Sequence, residues 1–191
     1  MPLLSYETLH SMGFANIGTN VSVSDKASFY NCANIRLGNN CRIDDFCVLS
    51  AGEGGIYIGD YVHIAVYTSL IGAGKITLSS YCNLSSRVSI YSSSDDYSGN
   101  FMTNPTIPQQ FTNVKHANVY LGKHVIVGSG SVILPNVIVE EGVAIGALSL
   151  VKENCQSFGI YAGNPAKFIK KRERNLLIIE KQLLNKEVNE P

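Results

Sequence analysis

The chain carries few side chains suited to moving protons. Of its 191 residues only four are histidines, His10, His63, His116 and His124. Histidine is the one side chain whose ordinary pKa, about 6.5, sits near neutral pH, so each is a candidate general base. An acidic pair, Asp95–Asp96, stands at the start of the longest unpatterned stretch, "YSSSDDYSGNFMTNPTIPQQFTNVKHANV". Such a pair can orient a histidine, bind a hydroxyl or an amine, or merely cap a surface turn. The five cysteines, Cys32, Cys41, Cys47, Cys82 and Cys155, are odd in number and form no CxxC, which argues against a disulfide framework or structural zinc.

The elements that must position these groups show themselves as a period of six. Branched aliphatics recur at Leu121, Val127, Ile133, Val139, Ile145 and Val151. The same spacing runs through Ile17, Val23, Phe29 and Ile35, through Leu37, Ile43 and Leu49, through Ile58, Ile64, Leu70 and Ile76, and through Leu78, Leu84 and Ile90, with two-residue slips between some runs. Neither a helix, at 3.6, nor a strand, at 2, needs this period. A hexapeptide repeat signifies a β-helix, in which each unit supplies one short strand and one corner and three units close a triangular coil. Anchors then stack eighteen residues apart, with small residues such as Cys41 and Cys47 filling the corners. A single coil cannot bury its apolar face, so the stack must be continuous. A sandwich would show turn clusters every 8–12 residues, and none recur here.

The fold class is therefore mainly β, a parallel β-helix with a long loop extruded from one coil. We divide the chain into a short N-terminal helical segment (1–14, Ser5 as N-cap, Gly13 past the end), a β-helix (15–163) with an external loop (92–118), and a C-terminal helix and tail (164–191). Pro165 is read as opening that helix, with Phe168, Ile169, Leu176, Leu177, Ile179, Leu183 and Leu184 as its apolar stripe. Charged residues make up 16% and the formal net charge is zero. That excludes the basic footprint of a nucleic-acid binder and points to surface buried between subunits. No apolar run reaches the roughly 18 residues of a membrane span, and no export signal opens the chain, so a cytoplasmic location is expected.

These anchors, the block "HVIVGSGSVILPNVIVEEGVAIGALSLV" and the tail "YAGNPAKFIKKR" resemble the hexapeptide-repeat acyltransferases of left-handed β-helix fold. Within them the chain looks most like the sugar O-acetyltransferases, the galactoside and maltose acetyltransferases and the relatives that decorate bacterial lipopolysaccharide O-antigen. The resemblance implies a homotrimer, acetyl-CoA as acyl donor, no metal, a small-molecule or oligosaccharide acceptor, and active sites between subunits. It implies acetyl transfer to a sugar hydroxyl by general-base-assisted attack on the thioester. Where that family carries a loop histidine, this sequence has Asp95. His63, in an outward slot, is then the first choice for the base, and His116, just before the coil that follows the loop, the second. His124 reads as a turn residue and His10 as structural. Asn83, Tyr91, Asp96 and Tyr97 are candidate acceptor contacts. The resemblance places the pantetheine arm along Gly128, Ser129, Ala147 and Ser149, and the coenzyme phosphates near Lys167, Lys170, Lys171 and Arg172.

Three other readings stay open. An N-acetyltransferase of an amino sugar nucleotide would need less of its base, because an amine is the better nucleophile. A non-catalytic trimeric scaffold would need no base at all. A γ-carbonic-anhydrase-like metalloenzyme would need three histidines on neighbouring coils, which the spacing of His63, His116 and His124 fits poorly.

Overall fold

The structure is a computed structural model and describes residues 2–189. The chain winds as a left-handed parallel β-helix with three flat faces. The first face stacks Asn16–Ile17, Ile35–Leu37, Ile56–Ile58, Ile76–Leu78, Val119–Leu121 and Ile138–Val139. The second stacks Ser22–Val23, Arg42–Ile43, His63–Ile64, Asn83–Leu84, Ile126–Val127, Ala144–Ile145 and Gly159–Ala162, and ends in the antiparallel strand Lys167–Lys171. The third stacks Ser28–Tyr30, Val48–Ala51, Ser69–Gly72, Ser89–Tyr91, Val132–Ile133 and Leu150–Val151.

The aliphatic anchors fill the prism. Leu37, Ile43, Leu49, Ile64, Leu70, Leu84, Ile90 and Leu121 are fully buried. Ile17 and Phe29, in the first coil, are only partly covered because no coil lies beneath them. Small side chains line the corners: Cys41, Cys47, Thr68, Cys82 and Ser131 are all buried. Burial pushes the Cys47 thiol up to about 11 and the Cys82 thiol to about 12, so both stay neutral and inert. Two corners turn through left-handed residues that are not glycine: Phe46, Tyr67 and Arg87 between the second and third faces, Tyr61, Tyr81 and His124 between the first and second. Such residues are strained by about 1–2 kcal/mol each. Stacking between rungs offsets it, with ring centroids 5.0 Å apart for Phe46–Tyr67, 5.1 Å for Tyr61–Tyr81 and 4.9 Å for Tyr81–His124.

Two expectations are corrected. Anchors do not stack eighteen residues apart throughout. Arg42 pairs with His63, 21 positions on, and His63 with Asn83, 20 on; the eighteen-residue rung appears only later, as in Ile126 with Ala144. The surplus residues sit at the third corner, in turns such as those between Ala51 and Ile56 and between Gly72 and Ile76, and they account for the slips in phase. Nor does Pro165 open a helix. Lys167–Lys171 is a strand, antiparallel to Gly159–Ala162, which covers the last exposed edge of the second face. Phe168 and Ile169 belong to that strand, and the helix begins at Leu176. Met1, Glu190 and Pro191 of the expected terminal segments lie outside the described residues.

The N-terminal helix Tyr6–Ser11 is capped by Ser5, whose hydroxyl accepts from the Thr8 N–H, and Gly13 follows it at φ +75°. The helix Leu176–Asn189 is pinned through Glu180, which takes the Lys123 ammonium on one oxygen and His124 Nε2 at 2.8 Å on the other. The external segment leaves after Tyr91 and returns at Val119, its stem a ribbon of Ser93–Ser94 with Lys115–His116.

Candidate active site

Asp95 and Asp96 stand just beyond the ribbon and differ sharply. The Asp96 carboxylate accepts from Ser98 N–H at 2.8 Å, from the Ser98 hydroxyl, and from Asn113 Nδ2 at 3.0 Å. These bonds, the Ser98 hydroxyl foremost, hold its carboxyl below the ordinary range. Asp96 is spent on tying the loop. The Asp95 carboxylate has no such partner among the described residues, and it opens on a cleft of about 370 Å³. Tyr91 and Tyr97 line that cleft with Ser93, Ser94, Val132, Leu134 and Pro135. A free carboxylate, two phenols and an apolar wall suit an amine-bearing or hydroxyl-bearing small molecule.

The candidate histidines lie elsewhere. His116 Nδ1 meets the Ser93 hydroxyl at 2.7 Å, and its ring faces a different hollow, lined by loop residues from Asn104 to Val114. His63 sits on the second face, with Nε2 2.9 Å from Asp44 Oδ2 and Nδ1 3.1 Å from Asn83 Oδ1. Whichever way the Asn83 amide is turned, both ring nitrogens are engaged, so His63 offers no free lone pair as a base. His124 is stacked on Tyr81 and bonded to Glu180. His10 lies on its helix against Tyr6.

Of the residues assigned to the coenzyme, Ser129 and Ala147 are exposed on the corner between the second and third faces. Gly128 answers to coil stacking, since a Cβ there would fall 2.4 Å from the Ala147 nitrogen. Ser149 is buried; its hydroxyl donates to Gly146 O at 2.7 Å and accepts from Gly163 N–H, so it is not available to a ligand. Arg172 donates through Nη1 to the carbonyls of His124 and Gly142 at 2.9 and 3.0 Å, a brace for the last coils. Lys167 and Lys170 are exposed on the final strand. Beside them Lys171 and Arg174 share with Phe158, Tyr161 and Phe168 a cleft of about 330 Å³.

The sequence reading passed over Ser85. It lies on the same corner as Gly128 and Ala147, one rung below the first and two below the second, with its N–H bonded to Val127 O at 2.9 Å. Its hydroxyl has no hydrogen-bond partner among the described residues. Nothing in the repeat marks it, because a small outward residue at a corner is what coil geometry already demands. Ser85 and Asp95 sit at opposite edges of the third face. At about 3.3 Å per residue that face is about 15 Å wide, so one copy of the chain cannot bring them to one reacting centre.

Among the described residues no three His, Cys, Asp or Glu side chains gather as a metal site requires, and no helix is long and apolar enough to cross a membrane. No protein-family profile matches the chain. It is 59% identical to the dTDP-4-amino-4,6-dideoxy-D-glucose acyltransferase of Escherichia coli over 94% of each chain. It superposes with a TM-score of 0.93 on AntD, an N-acyltransferase from Bacillus cereus crystallised with dTDP and 3-hydroxybutyryl-CoA, at 47% identity over 96% of this chain and 97% of that one. AntD has also been crystallised with one aspartate replaced by Asn or Ala, and with one serine, ten positions earlier, replaced by Ala, Thr or Cys. A maltose O-acetyltransferase from Clostridium difficile, 20% identical with a TM-score of 0.60, shares the fold. The expectation of sugar O-acetylation is overturned: the relative 59% identical over 94% of the chain is an acyltransferase of an amino sugar, and AntD, alike over 96%, is an N-acyltransferase. In place of the loop histidine that the resemblance led us to expect, the sequence has Asp95. A neutral amine attacks a thioester without first losing a proton, so a carboxylate suffices where a hydroxyl needs a histidine.

Proposed function

The chain belongs to the hexapeptide-repeat acyltransferases of left-handed β-helix fold, and on that premise we propose that it transfers a short acyl group from its coenzyme A thioester to the amino group of a dTDP-4-amino-4,6-dideoxyhexose. The observation that carries the assignment is the free Asp95 carboxylate at the mouth of a cleft, with its neighbour Asp96 tied off. The amine nitrogen bonds to the thioester carbon and its proton passes to Asp95. The C–S bond breaks, and the proton goes on to the leaving thiolate. The Ser85 hydroxyl donates to the carbonyl oxygen as charge builds there.

The serine and aspartate altered in AntD stand ten positions apart, as do Ser85 and Asp95 here. Ser86 and Asp96 have the same spacing, but the oxygens of Asp96 are already used. Since one copy holds Ser85 and Asp95 a face apart, the working site lies between two copies, one giving its Ser85 corner and the next its Asp95 cleft. A closed ring of three such copies is the homotrimer that the resemblance implies. Along the shared groove, Ser129 and Ala147 flank the pantetheine arm, and Lys167, Lys170 and Lys171 meet the coenzyme phosphates. The acyl donor tried first is acetyl-CoA.

The test is a thiol-release assay with product mass spectrometry. Presented with dTDP-4-amino-4,6-dideoxyglucose and acetyl-CoA, the enzyme forms the amide and one free thiol per turnover. The 4-hydroxy sugar nucleotide should give no product above background; equal turnover on it would refute the assignment.

A further inference from the structure

The four polar side chains Arg42, Asp44, His63 and Asn83 form a connected row on the second face. Arg42 Nε donates to Asp44 Oδ1 at 2.7 Å, Asp44 Oδ2 meets His63 Nε2 at 2.9 Å, and His63 Nδ1 meets Asn83 Oδ1 at 3.1 Å. Arg42, His63 and Asn83 are register partners on consecutive rungs, and above Asn83 the row turns apolar at Ile126 and Ala144. The row therefore stops at the rung that carries Ser85 and from which the external loop departs.

Surface ion pairs of this kind contribute little stability, and ordering four side chains costs rotamer entropy. What the row does achieve is direction. With one end of the Asn83 amide engaged by His63, its other end has no partner among the described residues, and either end can bond a hydroxyl, which both donates and accepts. Ser85 stands at the corner just past the strand Asn83–Leu84, two residues on from Asn83 and about 7 Å from it. A sugar whose 4-amino group sits between Asp95 and Ser85 has its ring hydroxyls at that distance.

We propose that Asn83 binds a ring hydroxyl of the acceptor sugar, and that His63, held by Asp44 and Arg42, is a positioning residue that fixes the orientation of the Asn83 amide. The inference rests on the function proposed above. It gives His63 a role that does not need a free lone pair and gives the acceptor a contact on the copy opposite Asp95.

Steady-state kinetics of the full-length enzyme with both substrates varied test it. Asn83→Ala should raise KM for the amino sugar nucleotide about tenfold, the worth of one good hydrogen bond, and leave KM for acetyl-CoA unchanged. His63→Ala should do the same, the double variant should be no worse than either single one, and His63→Gln should recover part of the loss. Equal rises in both KM values, additive losses, or no change in acceptor KM would overturn the inference. Melting curves identify a variant that merely misfolds, and Asp44→Asn, which keeps its shape, then serves as the second probe. Asp95→Asn is measured alongside. Full activity in Asp95→Asn sinks the proposed function itself, whereas its inactivity beside an unchanged Asn83→Ala sinks only this inference.

Discussion

Asn113 donates to the Asp96 carboxylate at 3.0 Å, tying the returning limb of the external loop to the departing one, while the adjacent Asp95 carboxylate has no partner among the described residues. Two aspartates in sequence thus have opposite duties. The oxygens of one are satisfied within the loop, and the carboxylate of the other has no partner among the described residues; the function proposed above gives it the proton of the attacking amine.

Asp95→Asn should lower kcat by about 10²–10⁴ with acceptor KM changed little, the usual contribution of one positioned proton acceptor. Asp96→Asn should instead loosen the loop, raising acceptor KM and sensitivity to proteolysis between residues 96 and 113. Steady-state kinetics and limited proteolysis of the two variants separate the roles.

The phosphate contacts expected at the C-terminal strand predict a different signature. Lys167→Ala with Lys170→Ala should raise KM for acetyl-CoA several-fold, more so at low salt, since exposed charges are screened within about 10 Å at 0.1 M. The acceptor KM should stay put. Dephospho-coenzyme thioesters should lose the distinction between variant and wild type.

Glu180 sets an acid limit on the docking of the last helix. Burial alone would push its carboxyl up, but the bonds from Lys123 and His124 outweigh burial and hold it below its ordinary value. A carboxyl lowered on folding stabilises the native state above its unfolded pKa, about 4.3, and that contribution is lost as pH falls through the folded value. Glu180→Gln should therefore melt below wild type at pH 7, and the gap should close as pH drops below about 4. A gap that persists at low pH would show that Glu180 acts by packing alone.

The buried thiols make a simple check on the core. With Cys47 raised to about 11 and Cys82 to about 12, neither forms a thiolate at pH 8. Iodoacetamide should label at most the half-exposed Cys32 in native protein, and turnover should survive the treatment. Intact-mass spectrometry before and after unfolding counts the protected thiols.

The fold was legible because Ile43, Ile64, Leu84 and their fellows must face inward at every strand, and inward-facing anchors leave a period that survives variation elsewhere. The cap at Ser5 was legible for the same local reason. The twenty-residue rungs were blurred because surplus corner residues shift the phase without changing any anchor's type. The strand Lys167–Lys171 was misread as helix because its Phe168–Ile169 pair fits either period, and its partner strand, not its own sequence, decides. The long loop draws attention to Asp95, Tyr91 and Tyr97 in the sequence, and the structure gathers the three around one cleft. His63 was singled out by its outward slot, and its hydrogen bonds to Asp44 and Asn83 come from neighbouring rungs that its own hexapeptide does not reveal; the reaction was taken for O-acetylation on the strength of family resemblance. Ser85 drew no notice because a small outward residue at a corner is what the repeat already demands.

The claim that one active site draws Ser85 and Asp95 from different copies is tested most directly by mixing. Ser85→Ala and Asp95→Asn chains are each prepared, unfolded together in equal amounts, refolded, and assayed against each variant refolded alone. Random reassembly should return activity at about a quarter of the sites, those where an intact Ser85 faces an intact Asp95. A mixture no more active than the two variants measured separately, with mixed oligomers confirmed by native mass spectrometry, would contradict the account.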